Sequence, residues 1–139
     1  MQLKETKIGL IPFDWELQKI ARISETYAGG TPSRSNPNYF IGNIPWVKST
    51  EVNLDEIYVT EECISEEAVK NSSTRFVDAN TIVFALYGAT AGQLSWLRIR
   101  ACVNQAVLAI PINCLEKFNK DFIYYSIKPN LCIRNLKWG

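Results

Sequence analysis

The sequence contains no histidine. That removes the commonest general base, so neither a Ser-His nor a Cys-His mechanism can be assembled within this chain. Cysteines are few and scattered, at Cys63, Cys102, Cys114 and Cys132. No C-x-x-C pair occurs and no imidazole is present to complete a mixed zinc site, so buried free thiols are preferred to a metal cluster. No apolar run approaches the length of a membrane span, and the opening MQLKETKIGL is not a secretory signal. The expected location is the cytoplasm, with no membrane partner. Nor does one sign of charge dominate: 15 basic residues face 14 acidic ones, so composition alone does not single out a polyanion partner.

What is present is the material of one folded domain. A length of 139 residues allows a sizeable core, and an apolar content of 47% argues against disorder. We read residues 1–139 as a single domain. The charge is unevenly spread: residues 51–75 carry seven acidic and two basic side chains, whereas residues 76–139 carry seven basic and three acidic. A polyanion would be repelled by the middle and drawn to the flanks.

The chain is organised around residues 81–111. Thr81 to Tyr87 is β-branched and aromatic, which suits a strand. Gly88-Ala89-Thr90-Ala91-Gly92 supplies bulk-free residues for a bend. Trp96, Arg98 and Arg100 alternate, so a strand would put all three on one face. Asn104-Gln105 interrupts, and Ala106 to Ile110 closes the unit.

Upstream, residues 1–14 read as a lead-in arm. Asp14 is a candidate N-cap for a short amphipathic helix from Trp15 to Ile23. Gly29 to Asn38 carries two Gly, two Pro and intervening Ser, Thr and Asn, the composition of a long loop, and such loops are often functional. Ile44 to Lys48 reads as a short strand, with Pro45 barring a central position. Ser49-Thr50-Glu51 has the composition of a helix start with nothing long after it. Ile57 to Thr60 is a candidate strand, and Ser65 can cap a helix over 66–70. Phe76 to Asn80 leads into the central unit. Lys120 to Lys128 reads as a helix with Phe122, Ile123, Tyr125 and Ile127 partly buried, stopped by Pro129. Strands outnumber helices, so the class is α+β: a single domain of mixed, mostly antiparallel sheet with a few short helices.

Four stretches invite a chemical reading. Asn36-Pro37-Asn38-Tyr39 resembles the Asn-Pro-Pro-Tyr/Phe motif of amino-methyltransferases, but no glycine-rich turn for a methyl-donor nucleotide accompanies it, and a plain turn is preferred. Gly88 to Gly92 lacks both the P-loop ending and the G-x-G-x-x-G spacing, so a tight turn is preferred to a phosphate cradle. Asp55 and Glu56 could hold a nuclease metal, but no E-x-K-type partner completes the site, and a solvated acidic face is preferred. Arg34, Lys48, Arg98, Arg100 and Lys128, with Tyr39, Trp46, Tyr87 and Trp96, mix basic and aromatic residues as a nucleic-acid face would. By composition alone, core aromatics beside surface charges are the preferred account.

Two stretches add to this reading. Gly29-Gly30-Thr31-Pro32-Ser33-Arg34 runs on to Tyr39, Gly42 and Ile44-Pro45-Trp46-Val47-Lys48; Tyr87 to Gly92 is followed by Asn104-Gln105-Ala106. With the Ile11-Pro12-x-x-Trp15 lead-in and Ile64-Ser65 before a short helix, the chain resembles a target-recognition domain of type I restriction–modification specificity subunits, from about Ile8 to Ile127. The resemblance implies a non-catalytic module that reads one half of a split double-stranded DNA sequence. It implies DNA adenine methyltransferase subunits, a motor-nuclease restriction subunit and a second specificity half as partners. It places no cofactor in this chain; S-adenosylmethionine, ATP and magnesium belong to the partners. The family continues into a spacer helix and a second domain, so an end at Gly139 is expected to be a truncation before that helix. The other readings are a small DNA-modifying enzyme (nuclease or methyltransferase) and a non-binding remnant.

Carried over residue by residue, the resemblance assigns DNA contact to Ser33 and Arg34 in the long loop. It adds Lys48, Ser49 and Thr50 after the Pro-Trp strand, and Tyr87, Thr90 and Gln93 around the glycine turn. Arg34 suits guanine or phosphate and Gln93 suits an adenine edge. Gly29, Gly30, Gly88 and Gly92 are expected to shape the loops. Asn104 and Gln105 either hold their turn or touch DNA.

Overall fold

The computed structural model describes residues 1–17, 19–53, 56–112 and 119–127. In chain order the strands are β1 (Leu3–Thr6), β2 (Gly9–Pro12), β3 (Tyr27–Ala28), β4 (Ile44–Val47), β5 (Glu56–Ile57), β6 (Glu62–Ile64), β7 (Arg75–Val77), β8 (Thr81–Ala85), β9 (Leu94–Leu97), β10 (Ala101–Val103) and β11 (Val107–Ile110). The helices are α1 (Ile20–Ile23), α2 (Glu66–Lys70) and α3 (Lys120–Ile127), and short 3-10 turns occupy Pro37–Phe40 and Ser49–Glu51.

Strand β8 shows why the molecule layers as it does. Its residues are apolar on both faces, the pattern of a strand covered from both sides. Val83 and Ala85 point one way, into a core shared with Val47, Val77, Val103 and Val107. Ile82 and Phe84 point the other way, towards Trp96, Ile110 and the helix residues Ile123 and Tyr124. β8 lies in the middle of a five-stranded sheet of order β3-β11-β8-β9-β5. Its neighbours are antiparallel, with Val83 opposite Ala109 and Ile82 opposite Trp96. A second sheet of order β6-β4-β10-β7 supplies the other wall of the central core. Its outer face carries Trp46, Ile64 and Cys102 under Ala68 of α2, with Tyr39 and Phe40 of the first 3-10 turn beside them. The Tyr27 hydroxyl donates to the Phe76 carbonyl at 2.9 Å and so ties β3 of one sheet to β7 of the other. Each fully buried aliphatic side chain here contributes about 1.5–3 kcal/mol. Pairing is mostly antiparallel, with β4–β10 and β5–β9 parallel. The α+β class stands.

Several local expectations hold. Ser65 caps α2 by accepting from the Ala68 N–H at 3.1 Å, with Glu66 and Glu67 in its first turn. Residues 29–36 form the expected long connection, and the helix after residue 119 begins at Lys120.

Others are corrected. The arm at 1–14 is a β-hairpin: β1 and β2 pair from Leu3↔Pro12 to Thr6↔Gly9, and Gly9 turns at φ +115°. Asp14 does not cap α1, which starts after Lys19. The Trp15 ring instead packs edge-on against Phe122 at 5.3 Å, a tertiary contact that outweighs the amphipathic pattern. Pro45 lies in β4, an inner strand. It is tolerated because β6 pairs along Ile44 to Trp46, whereas pairing with β10 begins only at Trp46. β8 stops at Ala85, leaving Leu86 and Tyr87 exposed, and β5 stops at Ile57. Phe76 belongs to a strand, β7, rather than a lead-in. On α3 the buried residues are Ile123 and Tyr124, while Phe122 and Tyr125 are exposed; the Tyr124 ring stacks on Trp96 at 5.1 Å.

Of the cysteines, Cys63 and Cys102 are free, and burial pushes the Cys102 thiol up to about 11. Cys114, Cys132, Asp55 and Lys128 lie outside the described residues.

Candidate nucleic-acid interface

Three loops carry the expected contact residues. The first leaves β3 at Gly29. A Cβ on Gly29 would lie 1.9 Å from the Val103 carbonyl oxygen, and one on Gly30 would lie 2.0 Å from Ser73 Oγ and 2.8 Å from the Ser73 carbonyl carbon. Only glycine lets the chain pass between β10 and the residues before β7. The Gly30 carbonyl then accepts from the Trp46 indole N–H at 3.3 Å, which fixes the loop to the buried face of β4. Thr31 donates its hydroxyl to Gln105 Oε1. Asn104 accepts the Ala106 N–H on its Oδ1 at 3.0 Å, and its carbonyl accepts from Gly29 at 3.2 Å. Asn104 and Gln105 are therefore engaged in holding the turn and the loop together. Ser33 lies exposed beyond them, its hydroxyl 2.7 Å from that of Ser35.

The second loop is the 3-10 turn at Ser49–Glu51. Glu51 is 8% exposed, and its carboxylate accepts from the Lys48 N–H at 2.8 Å and the Glu61 N–H at 2.9 Å. A buried carboxylate is stable here because each oxygen receives a main-chain donor. Thr50 stays exposed.

The third loop joins β8 to β9. Gly88 and Gly92 adopt φ +95° and +87°, a conformation that side chains disfavour. The Gly92 N–H closes the loop on the Ala85 carbonyl at 2.8 Å. Thr90 donates its hydroxyl to the Ser49 carbonyl, joining this loop to the second. Tyr87 and Gln93 are exposed.

The first and second loops meet at Glu62 of β6, which lies beside β4. Arg34 donates to both oxygens of Glu62, at 2.7 and 3.0 Å, while Lys48 Nζ lies 3.0 Å from Glu62 and 3.1 Å from Glu61. The guanidinium stacks over Phe40 at 4.2 Å and stands 5.2 Å from the Trp46 ring centre. Hydrogen bonding to Arg34, seconded by Lys48 and opposed by desolvation, holds the Glu62 carboxyl down to about 2. The same pairing raises both cations above their ordinary values. All eight expected contact residues thus sit on three loops that are hydrogen-bonded or ion-paired in series, with Gln93 at the end of the third.

The sequence reading missed Glu62, Glu51 and Phe40. The signal is the acidic segment that separates two basic flanks, which along the chain reads as a solvated face. Glu56 instead pairs with Arg98 at 2.8 Å and accepts from the Tyr58 hydroxyl. Among the described residues no cluster of three metal-ligating side chains occurs. The Asn36–Tyr39 stretch is a capped turn: Asn36 Oδ1 accepts from the Asn38 N–H at 3.2 Å, and the Tyr39 ring packs against the outer cluster beneath α2. The broad basic and aromatic face is also dispersed. Arg98 stacks on Trp96 at 4.6 Å, whereas Arg100 stacks on Phe76 of the other sheet at 3.7 Å, because β9 ends at Leu97 and the chain changes sheets.

Comparison with known proteins places this architecture. The chain is 41% identical over 85 residues to the type I restriction enzyme MjaIX specificity subunit of Methanocaldococcus jannaschii, a match covering 59% of this chain and 20% of that protein. It is 28% identical over 116 residues to the EcoR124I/EcoR124II specificity subunit of Escherichia coli, covering 81% of this chain and 28% of that one. Its fold is similar to the crystal structure of the HsdS subunit from Thermoanaerobacter tengcongensis, with a TM-score of 0.67 at 10% identity over 87% of this chain and 29% of that chain. A chain from a structure of a type I R-M system gives a TM-score of 0.64 at 13% identity, over 84% of this chain and 28% of that one. The chain therefore spans less than a third of the length of these relatives. The model of the type I restriction modification DNA specificity domain matches residues 12–138, nearly the whole chain, and the chain belongs to that family.

Proposed function

We propose that this chain reads one half of a bipartite double-stranded DNA target for a type I restriction–modification complex and performs no catalysis itself. The observation that carries the reading is the linked set of three loops on which Ser33, Arg34, Lys48, Ser49, Thr50, Tyr87 and Thr90 are displayed. Loops held by a rigid sheet are a suitable support for groove recognition, because base edges are discriminated by side chains placed to within a fraction of an ångström. Gln93, next to Gly92, is the residue best suited to an adenine edge. Methylation and cleavage, with S-adenosylmethionine, ATP and magnesium, fall to methyltransferase and motor-nuclease partners, and a second specificity half reads the other part of the target.

The test is selection of duplexes from a randomised pool by the chain in the presence of its methyltransferase partner. Enrichment of a short defined sequence supports the reading, and an unenriched pool opposes it. Affinity for the selected duplex falls as salt rises, since lysine and arginine displace counterions.

A further inference from the structure

Arg34 is the residue best suited to grip DNA, yet its terminal nitrogens are already taken. Both donate to one carboxylate, the arrangement a guanidinium makes with a phosphate. Lys48 closes the same carboxylate from the other side. Phe40 lies against the guanidinium face and limits its swing. Lys48 is tethered as well, since Glu61 takes its ammonium and Glu51 its main-chain N–H. Two cations thus face two carboxylates, and the local charge cancels.

We propose that Glu62 is a specificity-determining residue that acts as a built-in substitute for a DNA phosphate. Its carboxylate fills the anion seat between Arg34 and Lys48, so these residues do not grip duplexes indiscriminately. A guanidinium has five N–H groups, and the three that Glu62 leaves remain for a base edge. A phosphate must displace a carboxylate already held in two directions, which gains little. The inference rests on the DNA-reading function proposed above, but the anion seat itself is a property of this chain alone.

Two variants separate the effect from simple charge. Glu62→Gln and Glu61→Gln each remove one negative charge from the same surface, but Glu61 touches only Lys48 in this seat. Binding of a short duplex of randomised sequence is followed by fluorescence anisotropy across salt concentration. Glu62→Gln is expected to bind several-fold more tightly than the parent, and Glu61→Gln much less so. Every additional phosphate neutralised by the protein steepens the dependence of log affinity on log salt by about 0.9, so the advantage shrinks about 3.5-fold between about 50 and 200 mM salt. Adding Arg34→Ala to Glu62→Gln removes the gain. Equal tightening by both single variants, or none by Glu62→Gln, overturns the proposal.

A second readout does not involve DNA. Inorganic phosphate titrated into Glu62→Gln is expected to shift the NMR signal of the Arg34 Nε–H, while the parent's stays fixed. If that shift appears but no variant binds duplex at low salt, the DNA-reading function fails and the seat stands. If phosphate leaves the signal unmoved, the seat fails whatever the DNA result. Should Glu62→Gln and Glu62→Met both be unfolded, Glu62 serves the fold and the proposal is overturned.

Discussion

The Thr90 hydroxyl donates to the main-chain carbonyl of Ser49, a bond between residues 41 positions apart. It makes the glycine turn after β8 and the 3-10 turn after β4 a single unit. Thr90→Val keeps the shape of the side chain and removes the donor. We expect a loss of about 0.5–1.5 kcal/mol in urea unfolding, with Thr90→Ser close to the parent. Duplex affinity should fall with Thr90→Val beyond what its stability loss explains, because two loops lose their register.

Gly29 tolerates no side chain. Gly29→Ala sets a methyl group against the Val103 carbonyl oxygen, and main-chain atoms cannot move aside as a flexible side chain can. The expected penalty is about 3 kcal/mol, at the upper end of overpacking effects, read from the shift in melting temperature.

Trp46 connects the core to the first loop through its indole N–H. Trp46→Phe preserves most of the buried ring and leaves the Gly30 carbonyl without that donor. We expect about 1–3 kcal/mol of destabilisation, with faster amide exchange between Gly30 and Arg34 as the diagnostic observation.

The acid limb of stability should report Glu62. Its carboxyl is held at about 2, below the ordinary value of 4.5, so the folded chain binds its proton less readily than the unfolded chain does. The stabilisation is fully present above about 4.5 and is lost as the pH falls towards 2. Urea midpoints measured from neutral pH downwards should fall across that window, and Glu62→Gln should flatten the part due to this group. A variant whose midpoints fall just as steeply as the parent's would remove the assignment.

Much of the scaffold was legible, and the reasons are local. β8 and β11 carry apolar residues on both faces, Ser65 stands before a helix with two acidic residues in its first turn, and Gly, Pro, Ser and Asn crowd the first loop. What escaped depends on neighbours that no local pattern encodes. Pro45 is acceptable in an inner strand because pairing with β10 begins only at the next residue, Trp46. Arg98 and Arg100 separate because β9 ends at Leu97, before both of them, and the chain crosses to β10 of the other sheet. Glu62 meets Arg34 because β6 pairs beside β4, and a charge run read along the chain does not reveal strand order. The families of loops were visible, and their mutual wiring was not.

The parallel pairing of β4 with β10 brings Trp46 beside Cys102. Chain emerging from a ribosome cannot complete that sheet until the residues of β10 are out, and Gly29, Asn104 and Val103 cannot meet before then. The first loop is therefore seated only once β10 is present, because Gly29 and Gly30 bond to the Asn104 and Val103 carbonyls. Such non-local closure slows folding, and it ties the placement of the first loop to a strand about seventy residues further along the chain.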